Sequence, residues 1–476
     1  MTKLNQQITL LAATIGIACG SSLPALADAK KEIVEIASVM DVECPGDTMA
    51  VAPSRYISFR STEKDSELSK ILNKDRLRQN REIPLPHFAI HSPDYKFALT
   101  IGGKIDPIMG FDLGNDLYSQ SGLNFLTQQI PVPPGKYKRS NFFISPLDAA
   151  VDLEIVGLGG TPDQITGYVK IATSGDTKAL MLNRAYISWR GFTVGLKTTL
   201  FEDDLAASPP TIDTEGPCGM VSGSAYEICY VTPSFKGFRA AIGIEKPTFY
   251  SSTGNYNGTD YTEWNGKVIN GEKVCDPTAY NQVVPDIPMW VEWAHSDTNR
   301  VRISGLVRTF NYLDLLRDRR QTTMGWGLML SGNFSPVSPL IFYVQGVYGK
   351  GIGSYIQDLA GLSLSFTANE EKPGYLTPSP MMGLDFGITY NLTPKWQING
   401  IFSHTRIWRV EHAAITGAEQ NPYNNYKYAY YAGGNLFYKI SSYFKWGIEY
   451  LYGQRMTWNE GSGHVSRIQT MIQFTI

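Results

Sequence analysis

Ile165-Thr166-Gly167-Tyr168-Val169-Lys170-Ile171 sets Ile165, Val169 and Ile171 on one side and Thr166, Tyr168 and Lys170 on the other, because successive side chains of an extended chain point to opposite faces. The far end of the chain repeats the pattern: Ile468, Ile472, Phe474 and Ile476 face one way, and Arg467, Gln469, Met471, Gln473 and Thr475 the other. From Lys96 onward this period of two holds to the last residue. It yields about sixteen segments, centred near Ile101, Leu153, Val169, Ile187, Leu196, Ile228, Ile242, Val291, Ile303, Leu328, Val344, Phe386, Gly400, Ala432, Ile448 and Ile472. An even number allows an up-and-down sheet to close on itself.

The links between segments alternate in length. Tight ones fall at Arg190-Gly191, Pro233 to Lys236, Ser296 to Asn299, Ser335 to Ser338, Leu392 to Pro394 and Ile440 to Ser442. Between them run Gly114 to Pro146, Glu202 to Ser224, Lys246 to Asp286, Gly351 to Pro380, Trp408 to Asn425 and Arg455 to His464. Membrane barrels sort their loops this way, with short turns on one rim and long loops on the other, whereas a soluble sandwich or propeller has no reason to. Rings stand beside the tight links, at Trp189, Phe192, Phe235, Phe238, Phe334, Phe342, Trp396, Tyr438, Tyr443 and Phe444. That placement suits the interface of lipid and water; core packing in a soluble β-protein would use the same rings but leaves the loop alternation unexplained.

Composition agrees. The 476 residues include 45 Gly, 27 Tyr and 12% aromatics, which favours strands and turns over helix. No stretch after the first offers the ~18 uninterrupted apolar residues of a spanning helix, so any crossing of a membrane falls to strands. A net charge of -2 argues against a nucleic-acid partner, which requires a surplus of Lys and Arg on one face.

The start of the chain reads as an export address: Lys3, an apolar run from Ile8 to Ala18, and the small-residue site Ala25-Leu26-Ala27, which defines residues 1–27 as a signal peptide removed after Ala27. A lipidated Cys19 is the competing reading, with Gly16 standing where that motif favours Leu. Residues 28–95 form a polar N-terminal extension, expected on the periplasmic side. Within it, Ser61 to Arg81 has helical character, with Leu68, Ile71, Leu72 and Leu77 along one stripe. Such a stripe serves either a short solvated helix or self-association. The expectation is thus an all-β chain, a transmembrane antiparallel barrel of about sixteen strands over residues 96–476, preceded by that short extension.

With the apolar face in lipid, the opposite face lines the interior. It carries Lys104, Lys170, Arg184, Lys197, Arg239, Arg302 and Arg308, in the company of Asp106, Asp152, Glu154 and Glu227. Facing this basic strip, the loop 202–224 holds Glu202, Asp203, Asp204, Asp213 and Glu215, and Ser208-Pro209-Pro210 stiffens it. Folded inward, the loop narrows the lumen and sets opposed charges across it, a field that concentrates charged solutes. Left outside, it is a mobile outer loop, and the charges hydrate a wide lumen and pair among themselves.

Four cysteines survive signal removal, Cys44, Cys218, Cys229 and Cys275. Cys218 and Cys229 form either a disulfide closing a short loop or two free thiols. Without a C-x-x-C pair, no zinc site is expected. No catalytic site is expected either, because neighbouring His295-Ser296 and Ser403-His404 point to opposite faces of a strand. No cofactor is implied. His404, His412 and His464 read as surface residues ahead of a metal site.

Asn183-Arg184-Ala185-Tyr186-Ile187-Ser188, followed by Gly195, Phe201, Asp203, Pro209, Thr211, Ile212, Asp213 and Glu215-Gly216-Pro217, resembles the DcaP-like trimeric outer-membrane porins. The specific part runs from Arg184 to Gly219, with a looser likeness from about Phe97 to Ile476. The resemblance implies a sixteen-stranded homotrimer in the bacterial outer membrane, an N-terminal periplasmic segment and an inward third loop. It also implies passive uptake of small, often anionic solutes, dicarboxylates among them. On it, Arg184 matches the strand arginine, and Phe201, Asp203, Asp213 and Glu215 match loop positions. A substrate-specific transporter and a structural or adhesive barrel share the same strand grammar and stand as alternatives.

Overall fold

The computed structural model describes residues 58–61, 67–72, 88–132, 140–146, 148–173, 179–206, 208–248, 268–269, 272–276, 284–362, 364–410, 426–458 and 460–475. The signal segment 1–27, Cys19, Cys44, Leu77 and His412 lie outside them. One compact unit spans Phe59–Ile476.

Its sheet has sixteen antiparallel barrel strands among the described residues. They are β1 (Phe97–Ile105, continuing as Ile108–Leu113), β2 (Asn141–Ser145, continuing as Ala149–Gly157), β3 (Ile165–Thr173), β4 (Leu180–Trp189), β5 (Phe192–Thr198), β6 (Ser224–Val231), β7 (Phe238–Thr248) and β8 (Ile287–Ser296). There follow β9 (Asn299–Asp314), β10 (Arg319–Val337), β11 (Leu340–Lys350), β12 (Pro380–Asn391), β13 (Trp396–Ile407), β14 (Tyr426–Lys439), β15 (Phe444–Thr457) and β16 (Ser462–Thr475). Each pairs with its neighbour, and β16 returns to β1 through Ser466 opposite Leu113, Met471 opposite Ile108 and Thr475 opposite Lys104. Closure removes the open edges that hydrocarbon cannot solvate. Pro107 and Pro146 interrupt β1 and β2 at the same height, as expected of a residue with no N–H to give the ladder.

Side-chain exposure is inverted relative to a soluble protein. Ile165, Val169 and Ile171 face outward and are 42%, 37% and 42% exposed, while Thr166 and Tyr168 are buried inside. On β16 Ile472 is 54% exposed and Arg467 is 0%. An outer surface this apolar needs lipid around it. Trp189, Phe192, Phe235, Phe238, Phe334 and Phe444, beside the tight turns, are all exposed on it. The tightest turn, Arg190-Gly191, takes φ of 48° and 91°, the left-handed pair that a two-residue hairpin requires.

Loop length is less regular than the sequence suggests. On the long-loop rim, β9–β10 and β15–β16 are joined by short hairpins, and strands of up to 19 residues carry these rims outward instead of loops. Near the opposite rim, Phe88–His91 pairs with the start of β1, where β16 no longer reaches. The helical residues 67–72 turn Leu68, Ile71 and Leu72 onto Ala98 and Val156, which face the lumen. Gln164 Nε2 donates to the Ile71 carbonyl at 3.0 Å. Among the described residues of the stripe, Leu68, Ile71 and Leu72 are buried against the barrel's own mouth.

Candidate functional site: a loop-lined lumen

Barrel interiors of this width are too large for strand side chains to fill, and three connections fold into this one. The loop between β5 and β6 crosses to the far wall. Asp203 carboxylate oxygens accept from Arg300 of β9 at 2.7 Å and from Ser331 of β10 at 2.5 Å. Asn333 Nδ2 donates to the Leu205 carbonyl at 2.5 Å. Farther along, the Glu449 carboxylate of β15 accepts from Thr211 Oγ1 at 2.6 Å and from the Asp213 N–H at 3.1 Å. Tyr431 of β14 donates to Asp213 at 3.0 Å. The Gly219 N–H donates to Ser403 of β13, and the Val221 N–H to Gln345 of β11, both at 2.7 Å. Such contacts require close approach: a Cβ on Gly383 of β12 would stand 2.0 Å from the Gly219 carbonyl oxygen, and one on Gly387 2.3 Å from Pro209. Two glycines on the inner face of one strand thus seat the loop.

The loop from β1 to β2 and the one from β11 to β12 pack on it. Asp358 accepts from Thr127 at 2.5 Å and Tyr426 at 2.5 Å, and its own N–H donates to the Cys218 carbonyl at 3.1 Å. Buried arginines fix all three loops. Arg300 and Arg302 bind the β5–β6 loop. Arg308 donates to the Gly351 carbonyl and to Ser354 of the β11–β12 loop. Arg455 donates to the Gln128 carbonyl and Arg467 to the Leu123 carbonyl of the β1–β2 loop. Phe201, Val221, Tyr355, Ile356 and Leu359 then close an apolar core inside the barrel.

This divides the sequence-derived basic strip. Lys104, Lys170 and Arg184, on β1, β3 and β4, line an open cavity of about 730 Å³, and across it stand Glu202, Asp204, Asp213 and Glu215 of the loop. Lys170 is the register neighbour of both Asp152 and Arg184. Lys104 Nζ bridges Asp106 at 2.9 Å and Asp148 at 2.7 Å. The other four cations leave the strip. Lys197 is buried against Glu227 at 2.9 Å, Arg239 against Glu292, Arg302 against Glu292 at 2.9 Å, and Arg308 against Asp286 at 3.1 Å. A charge taken out of water needs a partner, and the opposite charges one strand away or on an infolded loop supply it. Asp203 likewise belongs to the anchor and not to the open lumen: it is buried, and despite that burial Arg302 and Arg300 hold its carboxyl below the usual range. Asp213 goes the other way, pushed up to about 6 by burial and by neighbouring Glu449.

Cys218 and Cys229 are free thiols, which corrects the disulfide alternative. The chain between them does not fold back: Cys218 meets Ser403 of β13 at 3.3 Å, while Cys229 sits in β6 with its thiol toward Glu227 at 3.1 Å. Sequence reasoning missed Arg300, Glu292, Arg455, Glu449 and Asp358, and it placed Arg467 on the inner face without giving it a role. All but Asp358 occupy inward positions of period-two strands, so a charge at inward parity was the available signal. Among the described residues, no group of His, Cys, Asp and Glu is arranged to hold a metal.

A family profile described as a porin subfamily matches residues 161–470, from β3 into β16. The chain belongs to this porin subfamily. It is a channel of the bacterial outer membrane, and its short-turn rim is the periplasmic one. Among solved structures, the outer-membrane channel DcaP of Acinetobacter baumannii shares the fold at a TM-score of 0.60 and 15% identity, over 81% of this chain and 99% of that one. OmpT of Vibrio cholerae aligns at a TM-score of 0.46 and 9% identity, over 80% and 98%. No curated protein matches the chain.

Proposed function

We propose that this porin passes small polar solutes by passive diffusion, with a preference for those bearing carboxylates, dicarboxylates included. The single supporting observation is the cavity wall where Lys104, Lys170 and Arg184 converge opposite the acidic face of the inward loop. A carboxylate is drawn to the cationic wall, and the loop carboxylates accept hydrogen bonds from hydroxyl or amino groups on the solute's other end. The field runs across the path, so it orients charged solutes as they pass. The constricting role of loop 202–224, the homotrimer, the signal peptide and the periplasmic role of the N-terminal extension belong to the same proposal, carried by the resemblance of Arg184 to Gly219.

A second reading, preference for cations, has its own observation: the cavity lining includes Asp152, Glu202, Asp204, Asp213, Glu215 and Asp297, more carboxylates than cations. The reversal potential of the full-length protein in a salt gradient decides. The proposal expects the sign of anion preference; a cation sign rules the basic wall out as the dominant filter.

A further inference from the structure

Lys197, Glu227, Glu245, Asp286 and Arg308 are buried together where the inner faces of β5 to β9 meet the infolded loops. Register sets Glu245 of β7 directly opposite Glu227 of β6, and its backbone bridges that of Asp286, just ahead of β8. Lys197 pairs with Glu227 at 2.9 Å, and Arg308 with Asp286 at 3.1 Å. Cys229, the other titratable group on β6, turns its thiol to Glu227. Among the described residues no cation pairs with Glu245. It is held instead by neutral donors of the β5–β6 loop, Thr199 Oγ1 at 2.7 Å and the Leu200 N–H at 3.2 Å.

Tyr355 of the β11–β12 loop ends on this group. Its Oη lies 2.7 Å from Glu245 Oε1 and 2.8 Å from Asp286 Oδ2. Burial first, then Asp286 and Glu245, push the phenol well above its ordinary range, so it brings one proton, and a single O–H serves one acceptor. Were both carboxyls ionised, one of the two contacts would set lone pair against lone pair, at a depth where an unmatched charge is most costly. The geometry therefore requires a second proton. Arg308 favours the carboxylate of Asp286, whereas Glu227 faces Glu245 with a like charge, so that proton belongs on Glu245. The chain then runs from the Glu245 O–H to Tyr355 and from the Tyr355 O–H to Asp286, and the two buried cations face two carboxylates.

We propose that a proton resident on Glu245 ties the inward loops to the barrel wall, and that its loss in alkali loosens them, so that pH sets the width of the lumen. Tyr355 is the link. Its carbonyl accepts from the Ser222 N–H at 3.1 Å, and its ring meets Phe201 edge-on at 5.8 Å, so one residue holds both ends of the β5–β6 loop as well as its own. The folded cluster binds one proton more than an unfolded chain with ionised Glu245, and the stability it gives is present at low pH and lost as pH rises. The device is independent of which solute passes.

The test compares the full-length protein with E245Q in planar bilayers, from neutral to alkaline pH, and by infrared difference spectroscopy. Glutamine offers an N–H toward Tyr355 and a carbonyl oxygen for Leu200, as the protonated acid does, but cannot ionise. The native channel is expected to open in larger and noisier steps as pH rises, while E245Q keeps its neutral step size throughout. The carbonyl stretch of one protonated carboxyl group should be lost from the spectrum in E245Q. Y355F, which removes the link and leaves both carboxyls in place, should show the enlarged steps already at neutral pH. Slower gel migration after boiling verifies that each variant folds. A native step size unmoved by alkali overturns the proposal without any variant. So does a folded E245Q that follows pH as the native protein does, or that loses no carboxyl band.

Discussion

Asp203→Ala is expected to raise single-channel conductance and to destabilise the barrel by about 3–5 kcal/mol, the loss typical of a buried ion pair deprived of one partner. Asp203 is the near anchor of the β5–β6 loop, between Arg300 and Ser331. The residues behind it, Arg239, Arg300 and Arg302, all pair with Glu292. Removing Asp203 deprives Arg300 and Arg302 of a shared carboxylate, and the strain falls on the loop that supplied it. A double variant with Arg300→Met should recover part of the stability, because a well-packed apolar pair can replace a buried ionic one. Planar-bilayer recordings and the temperature at which the folded gel band disappears measure the two effects. Unchanged values in both would show that the loop is held elsewhere. The pH dependence has a definite sign. A carboxyl held below its unfolded value gives stability that is present above that value and lost as pH falls through the folded one. The Asp203 anchor therefore persists through neutral and mildly acidic conditions. Asp213, pushed up to about 6, is the reverse: its charged form is disfavoured in the folded loop, so this end is strained above that pH and relaxed below it.

Lys170→Gln together with Arg184→Gln is expected to move the anion-to-cation permeability ratio about tenfold toward cations. In a wet cavity each unit charge acts on a passing ion with roughly 0.5–1 kcal/mol, and two such contributions approach the ~1.4 kcal/mol of a tenfold ratio. Both side chains line the cavity from adjacent strands, so their fields add. Glu202→Gln with Asp204→Asn should shift the ratio the opposite way. The reversal potential reads both variants, and a ratio indifferent to Lys170 and Arg184 would assign selectivity to another part of the path.

The fold was largely legible because a barrel wall writes its own geometry into the chain. All sixteen segment centres, from Ile101 to Ile472, fall within the sixteen barrel strands. Ile165, Val169 and Ile171 had to alternate with Thr166, Tyr168 and Lys170 once one face met lipid and the other did not. The lumen was legible only in part. Parity places Lys197, Arg239, Arg302 and Arg308 inside, as Lys170 and Arg184 are, but parity carries no information about what else is inside. Whether an inward cation meets solute or a buried carboxylate depends on loops packed against it from elsewhere in the chain: Asp203 lies 97 residues from Arg300, and Gln128 lies 327 from Arg455. The same long-range contacts hid the glycine seat, since nothing local marks Gly383 and Gly387 as the positions where Gly219 and Pro209 come close. Cys218 and Cys229, near in sequence, are drawn to different walls by the loop that joins them.

The most direct test of the whole account is the unit conductance of the purified full-length protein in planar bilayers, beside a variant lacking residues 211–222. A water-filled barrel narrowed by its own loop predicts stepwise openings of equal size, grouped by the copies in the assembly, with larger steps in the variant. A barrel that inserts but stays silent, or steps of the same size with and without those residues, would contradict it.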